Sequence, residues 1–502
     1  MKSNSLEHPQ EIELKLALPA SDPAQLEKLL AHTPALARRR AKHQSLHNVY
    51  YDTPDQLLRS KKVALRLRRV GSDANAGWLQ TLKTGGNGDS ALSQRGEWES
   101  ALPDAQLDLP ALQTTPWPVI DPDGAIFRAL APCFVTSFER SSWTVRKRVG
   151  SYVDIVEVSL DVGQIEAGDR RAVICELELE LRAGRPAALF ALAQEIAACI
   201  ALLPENRSKA ERGYALVQNR LNLPLHAQPP RLCADLQPAG GAQRVLREMF
   251  CQFTTNLNIL RISDDPEVVH QARVGWRRFK SACRLFRPVL DADARPLWQS
   301  LNTLLTFIGE LRDLDVARTE TLPQFAEAYI AGKAGREKKW QAMTHILMQA
   351  TRVQRKTALY ALEAPAVGSA LLAITQWLEE LPGTKRPGDD GDEQAGTLRR
   401  WARQRVPRLH KQLKRALHNA NTRQSQHRAR ILAKRLRYGI EALQPLLRRQ
   451  RTQRWLEQAT ELQTAIGTRR DVMQAGVLLG KLEADPELVE FLRGIAFGQG
   501  QA

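Results

Sequence analysis

Two patterns of hydrophobic and polar positions divide the chain. Up to about residue 180, short segments alternate apolar and polar residues, which predicts β-strands because successive strand side chains point to opposite faces. Turn residues separate several of these segments, so an antiparallel sheet is predicted, with helices at 22–32 and 185–202. The alternating segments are 11–16, 63–70, 78–83, 96–100, 142–148, 153–159 and 173–181.

From residue 241 onward the apolar positions follow helical spacing, and the sequence repeats itself. The segment that begins at His270 matches the one that begins at His427, and the segment around Ile308 matches the one around Ile466. Two ordered matches at nearly the same offset predict a duplicated helical bundle. Its repeats span about 241–385 and 397–495, joined by an acidic, glycine-rich loop around 387–396.

The predicted fold class is therefore α+β with several domains. Residues 1–223 are expected to form an antiparallel β tunnel barrel with flanking helices, residues 224–240 a linker, and residues 241–502 an all-α duplicated bundle. The polar N-terminus and the interrupted apolar stretch at 187–203 argue against a secretory signal or a membrane span. We therefore expect a cytoplasmic protein without a membrane partner.

Charge changes this picture most. The chain carries 72 Lys and Arg against 55 Asp and Glu, a net charge of +17, of which residues 225–502 contribute +16 and residues 1–224 only +1. A module this basic indicates a polyanionic partner, such as nucleic acid or a phosphate polymer. A hydrophobic content of 43% excludes wholesale disorder, and six scattered cysteines without a C-x-x-C pair argue against a zinc site or a disulfide framework.

In the first half, the polar positions of the strands are charged. A closed barrel with a polar interior and a helix-covered apolar outer face accounts for this pattern, as does a sheet with an apolar core on one side and salt bridges in solvent on the other. Glutamates bind hard divalent cations, and Arg and Lys bind phosphate oxygens, so a metal–polyphosphate ligand favours the barrel. The same-face sets include Glu11, Glu13 and Lys15; Arg66 and Arg68; Arg95, Glu97 and Glu99; and Glu176, Glu178 and Glu180.

Eight ordered segments between residues 10 and 218 resemble the CYTH superfamily, the triphosphate tunnel metalloenzymes. The resemblance implies an antiparallel tunnel barrel that binds a triphosphate with Mg²⁺ or Mn²⁺ and hydrolyses its terminal phosphoryl group. The segments are Glu11-x-Glu13-x-Lys15, Tyr51-Asp52-Thr53-Pro54, Leu65-Arg66-Leu67-Arg68, Thr81-Leu82-Lys83, Arg95-x-Glu97-x-Glu99, Leu160-Asp161-Val162-Gly163, Glu176-x-Glu178-x-Glu180 and Ser208-Lys209-x-x-x-Gly213.

The resemblance also implies roles for single residues. Arg140 and Arg146 both match a further phosphate-binding arginine, and the spacing leaves the choice between them open. The general base is open between Lys15, the candidate catalytic residue, and a metal-bound hydroxide. The implied metal ligands are Glu11, Glu13, Asp161, Glu176 and Glu178, and the implied triphosphate ligands are Lys15, Arg66, Arg68, Lys83 and Lys209.

In the second half, cationic residues follow helical steps of three and four from each repeated histidine. A solvated basic face explains one such helix, but the repetition favours two basic helices that meet across a pseudo-twofold axis to line one anion-binding groove. These segments resemble the CHAD domain, which often follows a CYTH domain and is associated with inorganic polyphosphate binding. The implied polyphosphate contacts are His270, Arg273, Arg277, Lys280 and Arg312 in the first repeat, and His427, Arg430, Lys434, Arg437 and Arg470 in the second.

The expected function is metal-dependent hydrolysis of inorganic triphosphate to pyrophosphate and phosphate in the tunnel, with polyphosphate binding by the basic helical domain. One alternative is a polyphosphate-binding localisation or sensing protein with weak or no catalysis. Others are a CYTH-type adenylate cyclase and a thiamine-triphosphatase. A nucleic-acid partner is disfavoured because the basic segments lack the interleaved aromatic residues that single strands stack on.

Overall fold

The computed structural model describes residues 10–19, 23–71, 77–86, 90–291, 296–331, 333–382 and 397–498. They form two compact units, one from Met1–Leu223 with Glu363–Gln376 and one from Pro224–Leu362 with Trp377–Ala502. The predicted joining loop at 387–396 lies outside the described residues. Within the described ranges no single helix is long and apolar enough to cross a membrane, and only two consecutive helices taken together, Arg336–Leu362 and Pro365–Glu380, meet that test.

Nine strands and the helices that flank them make up most of the described part of the first unit. The strands are β1 (Gln10–Ala17), β2 (Lys42–Asp52), β3 (Val63–Val70), β4 (Gly77–Thr84), β5 (Leu92–Leu102), β6 (Ala131–Val149), β7 (Tyr152–Ala167), β8 (Arg170–Ala183) and β9 (Leu203–Pro204). The helices are α1 (Pro23–His32), α2 (Leu57–Ser60), α3 (Leu109–Leu112), α4 (Trp117–Ile120), α5 (Ala125–Arg128), α6 (Ala187–Ala197) and α7 (Lys209–Val217).

The sheet closes on itself. Its strands follow the order β5-β4-β3-β2-β6-β7-β8-β1, and β1 also pairs with β5, so eight strands form an antiparallel barrel. The short strand β9 pairs with β1. The predicted antiparallel barrel is confirmed, although the alternating segments had not revealed β2. The helix expected over 185–202 ends at Ala197, and the chain that follows it reaches β9.

The barrel has a charged interior and an apolar exterior. Leu14 and Leu16 of β1 and Leu177 and Leu179 of β8 are fully buried on the outer face, where α1 and α6 cover them. Each buried leucine contributes about 1.5–3 kcal/mol to stability relative to an exposed one. The apolar core therefore lies between barrel and helices, which leaves the lumen available for polar side chains.

Helices make up the regular structure that is described in the second unit. Their described members are α8 (Pro238–Leu260), α9 (Pro266–Leu285), α10 (Asn302–Val316), α11 (Ala326–Ile330), α12 (Arg336–Leu362), the last residues of α13 (Pro365–Glu380), α14 (Leu398–His418), α15 (Arg423–Leu443), α16 (Arg449–Lys481) and α17 (Pro486–Gly498). Short 3-10 and π-type turns connect several of them.

The predicted duplication is visible in the helices that carry the repeated histidines. The bounds of α9 and α15 agree within one residue after the shift of 157 that relates the sequences. Arg284, at the end of α9, lies close enough to Arg435, in the middle of α15, for their charges to interact. Arg278 of α9 interacts in the same way with Glu441 near the end of α15. Later residues of one helix thus lie beside earlier residues of the other, so the two helices pack antiparallel.

Candidate active site

One cavity enters the barrel, and charged side chains dominate its wall. Together with its open mouth it encloses about 770 Å³ of space. Uncharged neighbours such as Tyr50 and Phe138 fill the gaps. The acidic lining residues are Glu11, Glu13, Glu97, Glu99, Glu178 and Glu180, and the basic ones are Lys15, Arg66, Arg68, Lys83, Arg95, Arg140, Arg182 and Lys209.

Strand β1 supplies the first wall. Glu11 accepts hydrogen bonds from Lys83 Nζ and Arg95 Nε, both at 2.9 Å. Glu13 pairs with Arg95 and with Lys15, whose Nζ lies 2.7 Å from Glu13 Oε1. Burial acts to raise the pKa of both glutamates, but these cations bring the pKa of each below its ordinary value. Both side chains are therefore held as carboxylates.

Strands β7 and β8 supply an acidic cluster. Asp161, Glu176 and Glu178 each offer one carboxylate oxygen within 4.8 Å of the others. Arg140 donates to Asp161 through Nε and Nη2, both at 2.7 Å, and Lys209 Nζ lies 2.6 Å from Asp161 Oδ2. Oxygen-only donor sets of this kind suit Mg²⁺ and Mn²⁺. The residues present thus fit a divalent cation.

The pKa values of the two glutamates in this cluster are shifted in opposite directions. Burial and the neighbouring Glu178 raise the pKa of Glu176, although Lys209 and Arg212 act to lower it. Burial also acts to raise the pKa of Glu178, but Lys209 and Arg140 overcome it and hold the pKa well below the ordinary value. Glu178 therefore stays ionised to a lower pH than Glu176.

Strand β3 places two cations on the opposite wall. Arg68 donates to Asn48 Oδ1 at 2.8 Å, and Arg66 Nη2 lies 3.6 Å from Glu97 Oε1. Burial and crowding by Arg66 and Arg140 lower the pKa of Arg68 to about 10. A phosphate anion beside these guanidinium groups would relieve their mutual repulsion.

Local structure explains several motif residues that do not line the lumen. Asp52 accepts hydrogen bonds from the backbone of Leu58 and Arg59 and from the Tyr214 hydroxyl, so it fixes the turn after β2. A Cβ on Gly163 would lie 2.1 Å from the Ser137 carbonyl oxygen, so the close pairing of β7 with β6 requires a glycine there.

The helix α7 positions Lys209. Ser208 caps this helix by accepting from the Glu211 amide at 3.2 Å, while the Glu211 side chain accepts from the Ser208 amide. Lys209 is the first residue of the helix and reaches the acidic cluster. A Cβ on Gly213 would lie 2.1 Å from Phe134, so α7 approaches β6 at a distance that only glycine allows.

The two arginines that the sequence left open are separated. Arg140 lines the cavity, whereas Arg146 is exposed and is not among the lining residues. The reason is strand length: the pairing of β6 with β2 ends at Ser142, and beyond it β6 pairs only with β7. Arg146 is on the same strand face as Arg140 but beyond the rim of the barrel, so the structure separates it from the other expected triphosphate ligands.

Other residues of the site had no role assigned from the sequence, although Arg95 belongs to one of its charged same-face sets. Arg95 and Arg182 line the cavity, and Arg212 donates to Glu176 Oε2 at 2.7 Å. Arg182 continues the period-two series of β8, and Arg212 is one helical turn after Lys209, so extending each pattern by one step would have found them. Glu97, Glu99 and Glu180, which share the charged strand faces, line the cavity, and Tyr50 stacks on Phe134.

In the helical unit, cations gather along α9. His270 lies near Arg312 and Arg277, and burial together with these two cations lowers its pKa. Burial and the charges of Arg284, Arg273 and Arg277 likewise lower the pKa of Lys280.

The repeated glycine of α10 has a steric role. A Cβ on Gly309 would lie 2.5 Å from Arg273 Nη1, so this glycine makes room for the guanidinium group.

The second repeat is described in part. Arg430, Lys434 and Arg437 are half-buried on α15, and Arg437 Nε lies 3.7 Å from Glu441 Oε1. The side chains of His427 and Arg470 lie outside the described part of the chain. The single groove between the repeats stays a prediction.

Family comparisons agree with both units. The CYTH domain family matches residues 9–214, and the CHAD domain family matches residues 244–480. Residues 9–214 are a CYTH domain, and residues 244–480 are a CHAD domain. The CYTH match covers the barrel and α7, and the CHAD match contains both α9 and α15.

The chain is also similar to an individual curated protein over part of its length. The CYTH domain is similar to an inorganic triphosphatase of Haemophilus influenzae, with 32% identity over 209 residues, which are 41% of this chain and 55% of that protein. The chain thus spans about half the length of this curated relative.

Solved structures are similar to parts of the chain. A CHAD domain from the plant Ricinus communis is 27% identical and covers 55% of this chain and 91% of its own, with a TM-score of 0.45. A putative adenylyl cyclase from Hippeastrum, described as having a dominant triphosphatase activity, is 21% identical and covers 42% of this chain and 95% of its own, with a TM-score of 0.27.

Proposed function

We propose that the CYTH domain hydrolyses inorganic triphosphate to pyrophosphate and phosphate in the presence of Mg²⁺ or Mn²⁺. The observation that carries the proposal is that a carboxylate cluster that suits a divalent cation adjoins, through Glu178, a cavity whose wall of arginine and lysine side chains suits phosphate. The named activity of the relative from Haemophilus influenzae supports the same substrate.

The cationic wall would hold the substrate. Arg66 and Arg68 on β3 and Lys83 on β4 line one side of the lumen, and Lys209 and Arg140 line the other. Arginine forms paired hydrogen bonds with phosphate oxygens, and lysine acts as a point charge, so together they orient an extended chain of phosphates. Buried positions keep these cations in place before the substrate binds, which reduces the entropy lost on binding.

The acidic cluster would bind the cation. Asp161, Glu176 and Glu178 supply its oxygens, while Glu11 and Glu13 lie on the neighbouring strand, where Lys15 is opposite Glu178. These residues would hold a divalent cation, which would supply positive charge to offset that on the phosphoryl oxygens and would make a nearby water more acidic.

Lys15 is the proposed catalytic residue of this wall. Its ammonium group contacts Glu13 and lies within the electrostatic reach of Glu178. As an ammonium group it can orient a water molecule between the two carboxylates, and as a neutral amine it can accept the proton of that water. Both roles predict a loss of turnover when the amine is removed.

For the CHAD domain we propose binding of inorganic polyphosphate. The crowded cations of α9 support this proposal, since burial and their mutual repulsion lower the pKa of Lys280, as does the +16 charge of residues 225–502. A flexible phosphate polymer would neutralise many of these charges at once, with release of its counterions.

A phosphate-release panel tests the enzymatic proposal. Triphosphate, ATP, thiamine triphosphate and long polyphosphate are each incubated with the full chain and Mg²⁺ or Mn²⁺. We expect the highest kcat/KM with inorganic triphosphate, and no release in the presence of a chelator. Preference for ATP with formation of cyclic AMP would identify a cyclase instead, and no release from any substrate would favour a binding or sensing protein.

A further inference from the structure

A second pocket lies on the CYTH domain outside the tunnel. It is formed where the chain enters β2, and four cations and two hydroxyl groups line it: Arg38, Arg39, Arg40, Lys42, Ser142 and Thr144. No acidic side chain is among these described lining residues. The tunnel wall mixes both signs of charge, so this pocket is chemically different from it.

Nearby acids are engaged elsewhere. Glu27 on α1 accepts from Ser141 Oγ at 2.9 Å and lies 3.7 Å from His43 Nε2. Glu157, which is paired with Thr144 in the strand register, forms an ion pair with Arg182 at 3.2 Å. The positive field of the pocket is therefore not cancelled by a carboxylate directed into it, and an anion is the ligand that this field favours.

The pocket continues a wall of the tunnel. Ser142 and Thr144 are two and four residues after Arg140 on β6, so all three side chains point to the same strand face, and each step covers about 7 Å. Lys42 is paired with Ser142 across the sheet. The register shows no break over this stretch, so the pocket begins one step beyond a residue that lines the tunnel.

One arginine of the pocket is fixed by the fold. Arg39 donates through Nε to the Ala35 carbonyl at 3.2 Å and through Nη1 to the Thr144 carbonyl at 3.5 Å. These bonds attach the loop after α1 to β6. The exposed side chains of Arg38, Arg40 and Lys42 are then presented around the same opening.

We propose that this pocket is a phosphate subsite that binds the part of a linear polyphosphate protruding from the tunnel, so that chains longer than triphosphate are substrates of the CYTH domain. The inference rests on the proposed triphosphatase function. In each turnover water would form a bond to the terminal phosphorus while the bridging P–O bond breaks, which releases phosphate and a chain one unit shorter. The distal phosphates would stay on the arginines throughout.

A kinetic comparison tests the subsite in the full chain. The variant R38Q/R40Q/K42Q removes three exposed cations but keeps Arg39, whose hydrogen bonds are structural. The control R128Q/R171Q/R220Q removes three exposed cations of the same domain outside the pocket. The readout is kcat/KM for a chain of about six phosphates divided by kcat/KM for triphosphate.

We expect this ratio to fall about tenfold in the pocket variant, since each exposed ion contact contributes a few-fold, and to change little in the control. An equal ratio in wild type and pocket variant, with triphosphate still hydrolysed, would overturn the subsite and leave the proposed function standing. An unchanged ratio together with altered inhibition by free phosphate would instead identify a site for free anions.

A footprint that needs no turnover separates the two proposals. Lys42 in the metal-free full chain is labelled with an amine-reactive reagent and quantified by mass spectrometry, with exposed Lys61 as the reference. Hexaphosphate should protect Lys42 several-fold, whereas triphosphate and inorganic phosphate should not. Equal labelling with and without hexaphosphate would overturn the subsite even if triphosphate is hydrolysed. Protection without hydrolysis in the kinetic assay would leave the binding pocket standing but overturn the enzymatic proposal, and with it the claim that longer chains are substrates.

Discussion

At the scale of single residues, the lumen is a set of charges that neutralise one another. Each carboxylate of the acidic cluster contacts Lys209, which Asp161, Glu176 and Glu178 share. Burying any one of these charged groups alone would destabilise the fold, because the free energy lost on desolvation exceeds the attraction that a single oppositely charged partner supplies. Removing one carboxylate charge therefore changes both cation binding and the position of Lys209.

The first prediction concerns Glu178. Replacing it with Gln keeps the shape but removes a ligand charge, so phosphate release from triphosphate should fall by about 10²-fold or more. Glu166→Gln is the matched control, because Glu166 is on the same sheet but outside the cavity lining. Release is measured with saturating Mg²⁺ and Mn²⁺, and circular dichroism checks the fold. Near-normal turnover of Glu178→Gln would contradict the assignment.

The second prediction concerns Glu180. Burial, with Glu11 and Glu97 acting in the same direction, raises its pKa to about 7, although Arg182 opposes the shift. The folded state then holds this proton more tightly than the unfolded state, so the group contributes stability at low pH that is lost as pH rises towards 7.

The melting temperature of Glu180→Gln, minus that of the wild type, should therefore increase between pH 5 and pH 8. Thermal unfolding of both proteins across this range measures the difference. A constant difference would show that Glu180 titrates at its ordinary pH.

At the scale of elements, α7 joins the fold to the site. Its first residue reaches the acidic cluster, its cap fixes where it begins, and Gly213 lets it lie against Phe134. Protein interiors are packed as densely as crystals, so a small displacement of one residue is passed on to its neighbours. A change at Gly213, where α7 lies against Phe134, should therefore displace Lys209.

The third prediction follows from that contact. Gly213→Ala should destabilise the chain by about 1–3 kcal/mol, because the new methyl overlaps the Phe134 ring, and it should lower kcat/KM through displacement of Lys209. Gly494→Ala on α17, where nothing lies within 4 Å of the added Cβ, is the control. Adding Phe134→Leu to Gly213→Ala should restore part of the stability in urea unfolding, and no recovery would argue against the steric cause.

Most of the barrel was predictable because its charged side follows strict alternation, whereas β2 was not. The strand β2 has His43 and His47 on its outer side and Asn48 and Asp52 among its buried residues, so its two faces differ little in polarity. Alternation also assigns Arg146 to the face of Arg140, but it does not show where β6 extends beyond the end of its neighbour β2. Tertiary pairing, which the local pattern does not contain, decides that point.

At the scale of the whole molecule, charge is divided between two kinds of surface. The CYTH domain balances its charges inside a cavity, while the CHAD domain carries the excess on its helices. The first arrangement suits a short ligand held by many groups, and the second suits a long polyanion held by many separate contacts.

The fourth prediction addresses the CHAD domain. Replacing Arg273, Arg277, Arg430 and Lys434 with Gln should weaken binding of long polyphosphate by orders of magnitude. It should also reduce the slope of log affinity against log salt by roughly three, if each contact contributes about 0.7 as in single-stranded nucleic acids.

Equilibrium titration at several salt concentrations measures both quantities, and competition with duplex DNA of equal charge tests specificity. Equal affinity for DNA, or an unchanged slope, would favour a solvated basic face.

One feature of the chain path bears on how these domains can be moved between proteins. Residues 363–376 belong to the first unit, where Leu372 is fully buried, a Cβ on Gly368 would touch the Leu202 carbonyl oxygen, and Ser369 accepts from Gln194. The backbone therefore passes from one unit to the other three times. A protease that cuts only the segment after Leu223 nicks the molecule without releasing a complete first unit. Likewise, a gene fragment that ends at residue 223 transfers the barrel without a segment that packs on its outer core.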